Sequence, residues 1–186
     1  MRCWRPPVSH AIKCSGWPRV VQTVSSETSP PSGYCKNAKT MPDYKIEIKG
    51  GGAFIRLDLS HRGHPEAHDY WDGNWVVARI QAEVQGFKAD FTDQVHLGDI
   101  IRFYEEVLKL NASLTGAATL AVMEEYLVVI GTLDARGRLD WSVLLLHPVK
   151  RDVQLQFEFQ ADQSYLPELI QQIEDVLIEF QVRGQP

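Results

Sequence analysis

The sequence predicts an α+β fold in which antiparallel β-sheet, about eight strands in all, carries two amphipathic helices. Residues 44–91 and residues 117–160 each show the period-two alternation of about four strands. A stretch of helical period follows each of these blocks. The connections between successive strands are too short for the crossover helices that parallel strands need. The expected order is therefore four strands, a helix, about four strands and a second helix.

The first block divides into four predicted strands. The run Gly50, Gly51 and Gly52 separates two alternating strands, which predicts a hairpin. A third strand is expected over residues 74–84, and a fourth begins after Gly86. The side chains expected to share one face of their strand are Tyr44, Ile46, Ile48, Ile55, Leu57, Leu59, Val76, Ala78, Ile80, Ala82, Val84, Phe87, Ala89 and Phe91.

The second block places a turn at residues 134–137 between two of its strands. Its strictest alternation comes at the end of the block. We therefore expect the side chains on that alternating face to lie in the core, namely Val153, Leu155, Phe157 and Phe159.

Each helix is predicted from one apolar stripe. Asn111 is expected to end the first helix in a left-handed conformation, and Pro167 fits the first turn of the second, over about residues 164–180. The first stripe consists of Leu97, Ile100, Ile101, Tyr104, Val107 and Leu108, and the second of Leu166, Leu169, Ile170, Ile173, Val176, Leu177 and Phe180.

Residues 1–40 differ from the rest of the chain in charge and composition. They carry six Lys and Arg against one Glu, five of the ten prolines and no lasting period, so we expect a disordered tail. The three cysteines, Cys3, Cys14 and Cys35, also lie there and match no closed zinc set. Because Met41 directly precedes the first strand pattern, we expect a mis-assigned start and a single domain over residues 41–186.

Residues 41–186 are acidic, with 13 Lys and Arg against 23 Asp and Glu, a net charge of −10. This balance argues against nucleic-acid binding by the domain. The chain contains no apolar run of the roughly 20 residues that cross a bilayer, and its N-terminus lacks the apolar region of a signal peptide. We expect a cytoplasmic protein that does not bind membranes.

The segment between the second and third strands offers candidate metal ligands in His61, His64 and His68. A metal-dependent enzyme built on these histidines is one alternative. The histidines lie around Gly63 and Pro65, in a loop rather than on a rigid element, which disfavours a preorganised zinc site. The domain also lacks a cysteine nucleophile, a Gly-x-Ser-x-Gly elbow and a phosphate loop. We expect a protein that is not an enzyme and needs no cofactor.

The same segment has a structural interpretation. Asp72 and Gly73 are strong turn residues, and Asp69 and Asp72 can accept hydrogen bonds from the backbone of their own turn. Trp71 and Trp75 flank the turn and could each bury roughly 150 to 250 Å² where the chain rejoins the sheet. We expect a tryptophan corner that fixes the register of the third strand.

The stretch DYWDGNW resembles the signature of the WapI-type immunity family, small bacterial antidotes to the toxic C-terminal domains of large delivered toxins. Val76 replaces the larger aliphatic residue usual after this stretch. The resemblance covers nearly all of residues 41–186 and extends to the final helix. The matching residues are Asp69, Tyr70, Trp71, Asp72, Gly73, Asn74 and Trp75.

The resemblance implies a non-catalytic protein that binds a cognate toxin domain, and a basic toxin such as a nuclease would suit the acidic domain. A signature common to antidotes of different toxins is expected to be structural, so recognition should lie elsewhere. The candidate contacts are the exposed acids Glu105, Glu106, Glu124 and Glu125. A small-ligand-binding module is a further alternative, and it would need a large apolar pocket lined by residues such as Trp141 and Phe157.

Overall fold

Two antiparallel four-stranded sheets and two helices make up the fold, which confirms the α+β class. The computed structural model describes residues 44–147 and 152–186. The predicted tail, its cysteines and the expected start at Met41 lie outside the described residues. The strands are β1 (Tyr44–Gly50), β2 (Ala53–Arg62), β3 (Trp75–Val84), β4 (Phe87–His96), β5 (Gly116–Ala121), β6 (Leu127–Leu133), β7 (Arg138–Leu146) and β8 (Gln154–Asp162), and the helices are α1 (Leu97–Ser113) and α2 (Leu166–Glu179).

Each sheet is a meander in which successive strands are neighbours, β1 to β4 in the first sheet and β5 to β8 in the second. Two hairpins of the first sheet close through two residues of positive φ, Gly51 and Gly52 at 53° and 79°, and Gln85 and Gly86 at 45° and 88°. This conformation matches the twist of the flanking strands and explains the glycines seen at both positions. The chain thus repeats one unit of four strands and a helix.

The helix of each repeat packs against the first strand of the other, α1 against β5 and α2 against β1. Both strands lie at the edge of their sheet, where backbone groups lack a strand partner. The backbone N–H of Glu47 in β1 donates to Gln172 Oε1 of α2 at 2.7 Å. Equivalently, the N–H of Thr119 in β5 donates to Glu106 Oε2 of α1 at 2.7 Å. The two helices therefore protect one edge of each sheet.

The inner faces of both sheets and the buried faces of both helices form one hydrophobic core. The alternating residues of β1, β2 and β3 lie in it as predicted, except that Tyr44 and Val84 are only partly buried against it. Phe157 and Phe159 are buried as predicted, and Leu155 is partly buried. The prediction that Val153 lies in the core is wrong, since this residue precedes the first residue of β8 and is 53% exposed. Phe87 follows the alternation of β4, but it is the first residue of that strand, directly after the turn from β3, and it is exposed.

The buried stripe of α1 differs from the prediction. Phe103 is fully buried, whereas Leu108 is exposed and Tyr104 is half-buried. The Tyr104 hydroxyl donates to Glu174 of α2 at 2.6 Å, which orients this side of α1 toward the other helix. The helix also ends later than Asn111. Leu114 takes the left-handed conformation at φ 55°, and its N–H donates to the Leu110 carbonyl.

Candidate functional site

The signature segment, residues 69–75, forms a tight turn at the end of the β2 to β3 connection. Asp69 Oδ1 accepts from the backbone N–H of Trp71 at 2.9 Å and of Asp72 at 2.8 Å. These bonds, above all that from Asp72, lower the pKa of the Asp69 carboxyl because they favour its charged form. The predicted capping by Asp69 is thus observed, and Asp72 takes part through its backbone N–H.

Asn74 connects the turn to the end of the chain. Its side chain is fully buried. The amide nitrogen donates to the carbonyls of Tyr70 and Arg183, both at 2.8 Å, and Oδ1 accepts from the Arg183 N–H at 2.9 Å. The Asn74 carbonyl accepts from the N–H of Leu97, the first residue of α1, at 2.9 Å. One side chain and its backbone therefore hold the turn, the C-terminal segment and α1 together.

His96 lies beneath the turn and is 1% exposed. Its Nε2 faces the Tyr70 carbonyl at 3.1 Å, and Nδ1 accepts from the Gly98 N–H at 3.1 Å, so the two contacts fit one tautomer with the hydrogen on Nε2. The ring packs edge-on against Trp75 with 5.2 Å between centroids, and stacks on Trp71 at 6.2 Å. His96 thus caps α1 and supports the aromatic residues of the signature.

Two arginines tie the loop before the turn. Arg183 Nη1 donates to the carbonyls of Pro65 and Ala67 at 2.7 and 2.6 Å. Arg62 donates to the Gly73 carbonyl at 2.5 Å and to that of Gln181. Burial lowers the pKa of Arg62, and the charge of Arg183 acts in the same direction. In these contacts both guanidinium groups donate to main-chain carbonyls. They connect the loop before the turn to the C-terminal segment, which is a structural role.

The profile of the immunity protein WapI-like family matches residues 45–181, which include both repeats and the signature segment. The chain belongs to the WapI-like immunity protein family. Its MRP1/MRP2 neighbour among solved structures, from Trypanosoma bruciei, has a TM-score of 0.43 at 12% identity and covers 76% of this chain and 87% of its own. The CdiA-CT/CdiI toxin and immunity complex from Enterobacter cloacae has a TM-score of 0.34 at 9% identity, covering 54% and 88%. Both scores are too low to establish a shared fold. No curated protein matches the chain.

The expected burial of both signature tryptophans is wrong for Trp71, which is 59% exposed. Its ring stacks on His96 and meets the Tyr70 ring edge-on with 5.4 Å between centroids, and the rest of the side chain faces solvent. Trp75 is half-buried. The polar side chains that are buried at this corner are those of Asn74 and His96. Hydrogen bonds, rather than two large aromatic side chains, therefore fix the entry into β3.

His61, His64 and His68 are all exposed, and the structure does not assemble them into a site. His61 Nδ1 lies 3.0 Å from the Ser60 hydroxyl at the end of β2. Within residues 44–147 and 152–186, the structure brings together no group of three His, Cys, Asp or Glu side chains that could hold a metal ion. The geometry gives the metal-dependent alternative no support.

The candidate contact acids separate into two kinds. Glu105, on α1, and Glu124 and Glu125, in the β5 to β6 hairpin, are exposed. Glu106 is half-buried, and its carboxylate accepts the Thr119 N–H described above. Glu106 thus has a structural role in covering the edge of β5, which the sequence did not reveal.

The alternative of a ligand pocket beside the C-terminal helix meets a filled core. Trp141 and Phe157 are 2% and 8% exposed. The cavity between α2, β1 and β7 that borders Trp141 has a volume of about 10 Å³, room for about one water molecule. In the part of the chain that the structure describes, no helix is long and apolar enough to cross a membrane.

Four residues of the signature corner and its surroundings were missed from the sequence: Arg62, His96, Asp99 and Arg183. Asp99 is 2% exposed, and its Oδ2 accepts from the Met123 N–H at 2.9 Å, which fastens the β5 to β6 hairpin to α1. His96 and Asp99 occupy the cap and first turn of a helix, positions where polar acceptors are favoured, so a search for helix starts could have found them. Arg183 gives no comparable local signal.

Proposed function

We propose that this protein is a non-catalytic antidote that binds and blocks a cognate bacterial toxin domain in the cytoplasm. The observation that carries the proposal is the family match over residues 45–181. By cognate toxin domain we mean the C-terminal toxin domain encoded by the neighbouring gene.

The geometry of the signature corner supports a binding role that lies elsewhere on the surface. Asn74, His96, Arg62 and Arg183 make their contacts with the backbone of the chain itself. A residue whose polar groups are engaged within the fold has fewer of them to offer a partner. The signature therefore maintains the shape of the protein, and toxin recognition falls to exposed side chains.

Charge supports a basic partner. Residues 41–186 carry a net charge of −10, and a potential of this sign accelerates encounter with a positively charged protein. A nuclease fits, because its active face must attract phosphate groups. Glu105, Glu124 and Glu125 are the proposed contacts of the four predicted acids. Glu106 would have to release the edge of β5 in order to bind a toxin residue.

Residues 41–186 are proposed to be sufficient for this activity. The family match begins at residue 45, directly after the first described strand starts. The charge break between residues 40 and 41 supports the same boundary.

Co-expression with the cognate toxin domain tests the proposal. Both the full chain and residues 42–186 should restore growth and elute with the toxin as a one-to-one complex on a sizing column. Raising salt from about 50 to about 500 mM should slow association strongly and change dissociation less, because screening acts mainly on the approach. Cell death despite abundant folded protein, with no complex formed, would refute the antidote function. Protection by the full chain alone would refute the boundary.

A further inference from the structure

The outer faces of the two sheets differ in chemistry although the sheets share one topology. The first sheet has charged side chains across its outer face, arranged in ion pairs. Arg79 binds Asp90 through two bonds of 2.8 and 2.5 Å, and Lys88 lies 2.9 Å from Glu83. Such a face is well solvated, and its charged groups pair with one another within the sheet.

The outer face of the second sheet is uncharged over most of its area. Cross-strand pairing aligns Ala121, Val128 and Leu144 in one row, and Thr119, Ile130 and Ser142 in the next. Ile130 is 39% exposed at the middle of the face. An open hollow of about 410 Å³ adjoins it toward the charged border, where Arg138, Asp140 and Glu158 line it. All nine described positions that β5, β6 and the second half of β7 contribute are uncharged: Ala117, Thr119, Ala121, Val128, Ile130, Thr132, Ser142, Leu144 and Leu146.

Acidic residues border this face. Glu124 and Glu125 lie in the hairpin at one end of it. Glu158 lies opposite Ser142 on the edge strand β8, and Asp162 lies at the far end. The main basic residue of the face, Arg138, forms a 2.7 Å ion pair with Asp140. An apolar centre within a charged border is the usual composition of a protein interface.

The size of the face suits one protein partner. Four strands about 4.8 Å apart and six to nine residues long span roughly 20 by 25 Å, or roughly 500 Å² in projection. Each partner in a stable complex contributes roughly 800 Å². The face and its acidic border together approach that area.

A second copy of this chain is a poor occupant. A face-to-face pair would bring together two copies that each carry a net charge of −10 over residues 41–186, which costs free energy through repulsion. A basic protein domain meets the same border with opposite charge, so charge complementarity selects the toxin.

We propose that the outer face of the second sheet is the docking surface for the cognate toxin domain, with Ile130 at its centre and Glu158 at its border. This inference rests on the proposed function. The apolar centre determines how long the complex lasts, and the acids determine how fast it forms. The expected partner surface is apolar in the middle and rimmed by Lys and Arg.

Substitutions on the two outer faces of the full chain test the inference against a catalytically inactive form of the cognate toxin domain. Ile130→Arg should weaken the complex by about 30-fold or more, because it places a charge at the centre of the contact. Thr92→Arg is the matched control, since Thr92 is exposed on the outer face of the first sheet, and it should leave the affinity unchanged. Glu158→Gln should slow association by about two- to five-fold at low salt.

Thermal melts verify the fold of each variant. If Ile130→Arg unfolds the chain, Thr132→Arg, at an exposed neighbouring position, gives the same measurement. Toxin binding that survives both substitutions on the second sheet would overturn the docking surface and leave the antidote function intact. Absence of binding by the wild-type chain would refute both proposals. A change in oligomeric state of the isolated Ile130→Arg chain would reassign the face to self-association.

Discussion

The connections between the second and third strands of the two sheets contain the same turn device but differ threefold in length. Residues 63–74 join β2 to β3, whereas residues 134–137 join β6 to β7. In the long connection, Asp69 Oδ1 accepts two backbone N–H groups. In the short one, Asp134 Oδ1 accepts the N–H of Arg136 at 2.9 Å and of Arg138 at 3.0 Å. The local chemistry of the turn is therefore common to both repeats.

The additional residues of the long connection join parts of the chain that are distant in sequence. Asn74 binds Arg183, and the Tyr70 carbonyl lies beside the His96 ring that caps α1. The short connection returns directly to β7. A longer loop loses more conformational entropy on ordering. The hydrogen bonds of Asn74 and His96 offset that loss here. The signature segment therefore lies where the first repeat holds the C-terminal segment that follows α2.

The largest expected difference in stability is between the tryptophan of the long connection, Trp71, and the tryptophan of the strand that follows the short one, Trp141. Trp141, on β7, packs its ring over Gly131, where an added Cβ would lie 2.5 Å from the ring. Trp141→Ala should cost about 3 to 5 kcal/mol, as for a buried aromatic. Trp71→Ala should cost about 1 kcal/mol or less, because most of its ring faces solvent. Urea unfolding of both variants measures this order. Equal losses would show that Trp71 is buried in solution.

Asn74→Ala should have the next largest effect, about 2 to 4 kcal/mol, because it removes a fully buried side chain and leaves the N–H and carbonyl of Arg183 without their partner. Asp134→Ala should cost clearly less, since its two N–H partners lie in an exposed turn. His64→Ala, in the same long connection as Asn74, is the control and should leave the melting temperature unchanged. A smaller loss for Asn74→Ala than for Asp134→Ala would contradict the role of the corner as a joint.

The sheets could be predicted because their signal is local. Alternation with period two identifies the inner faces of β1 to β3 without knowledge of what they pack against. Glycines at the hairpins and Asp69 at its turn are likewise read from neighbouring residues. The order of the elements follows from these signals alone.

The signature corner could be located from the sequence, but its chemistry could not. Asn74 and Arg183 are 109 positions apart, so no local pattern links them. Trp71 and Trp75 look equivalent in the sequence, and both rings contact His96 in the structure, yet Trp71 is exposed and Trp75 is half-buried. The choice between Phe103 and Tyr104 depends on where α2 lies, because both fit an apolar stripe with the helical period.

The smallest expected effect is on the free energy of unfolding at acid pH, where the two connections should behave alike. Backbone N–H groups lower the pKa of Asp69 and of Asp134 below the ordinary value of 3.8. A carboxyl whose pKa is lower in the folded than in the unfolded protein stabilises the fold above pH 3.8 and loses this contribution as the pH falls through the folded pKa. Asp69→Asn and Asp134→Asn should each be less stable than wild type near neutral pH and converge with it in acid. Unfolding free energies across the acid range measure the convergence, and the double variant should show the sum, because the two turns do not share hydrogen-bond partners. If the difference in unfolding free energy between variant and wild type is the same at every pH, the geometry of the hydrogen bonds, and not the charge of the carboxylates, accounts for the stability of both turns.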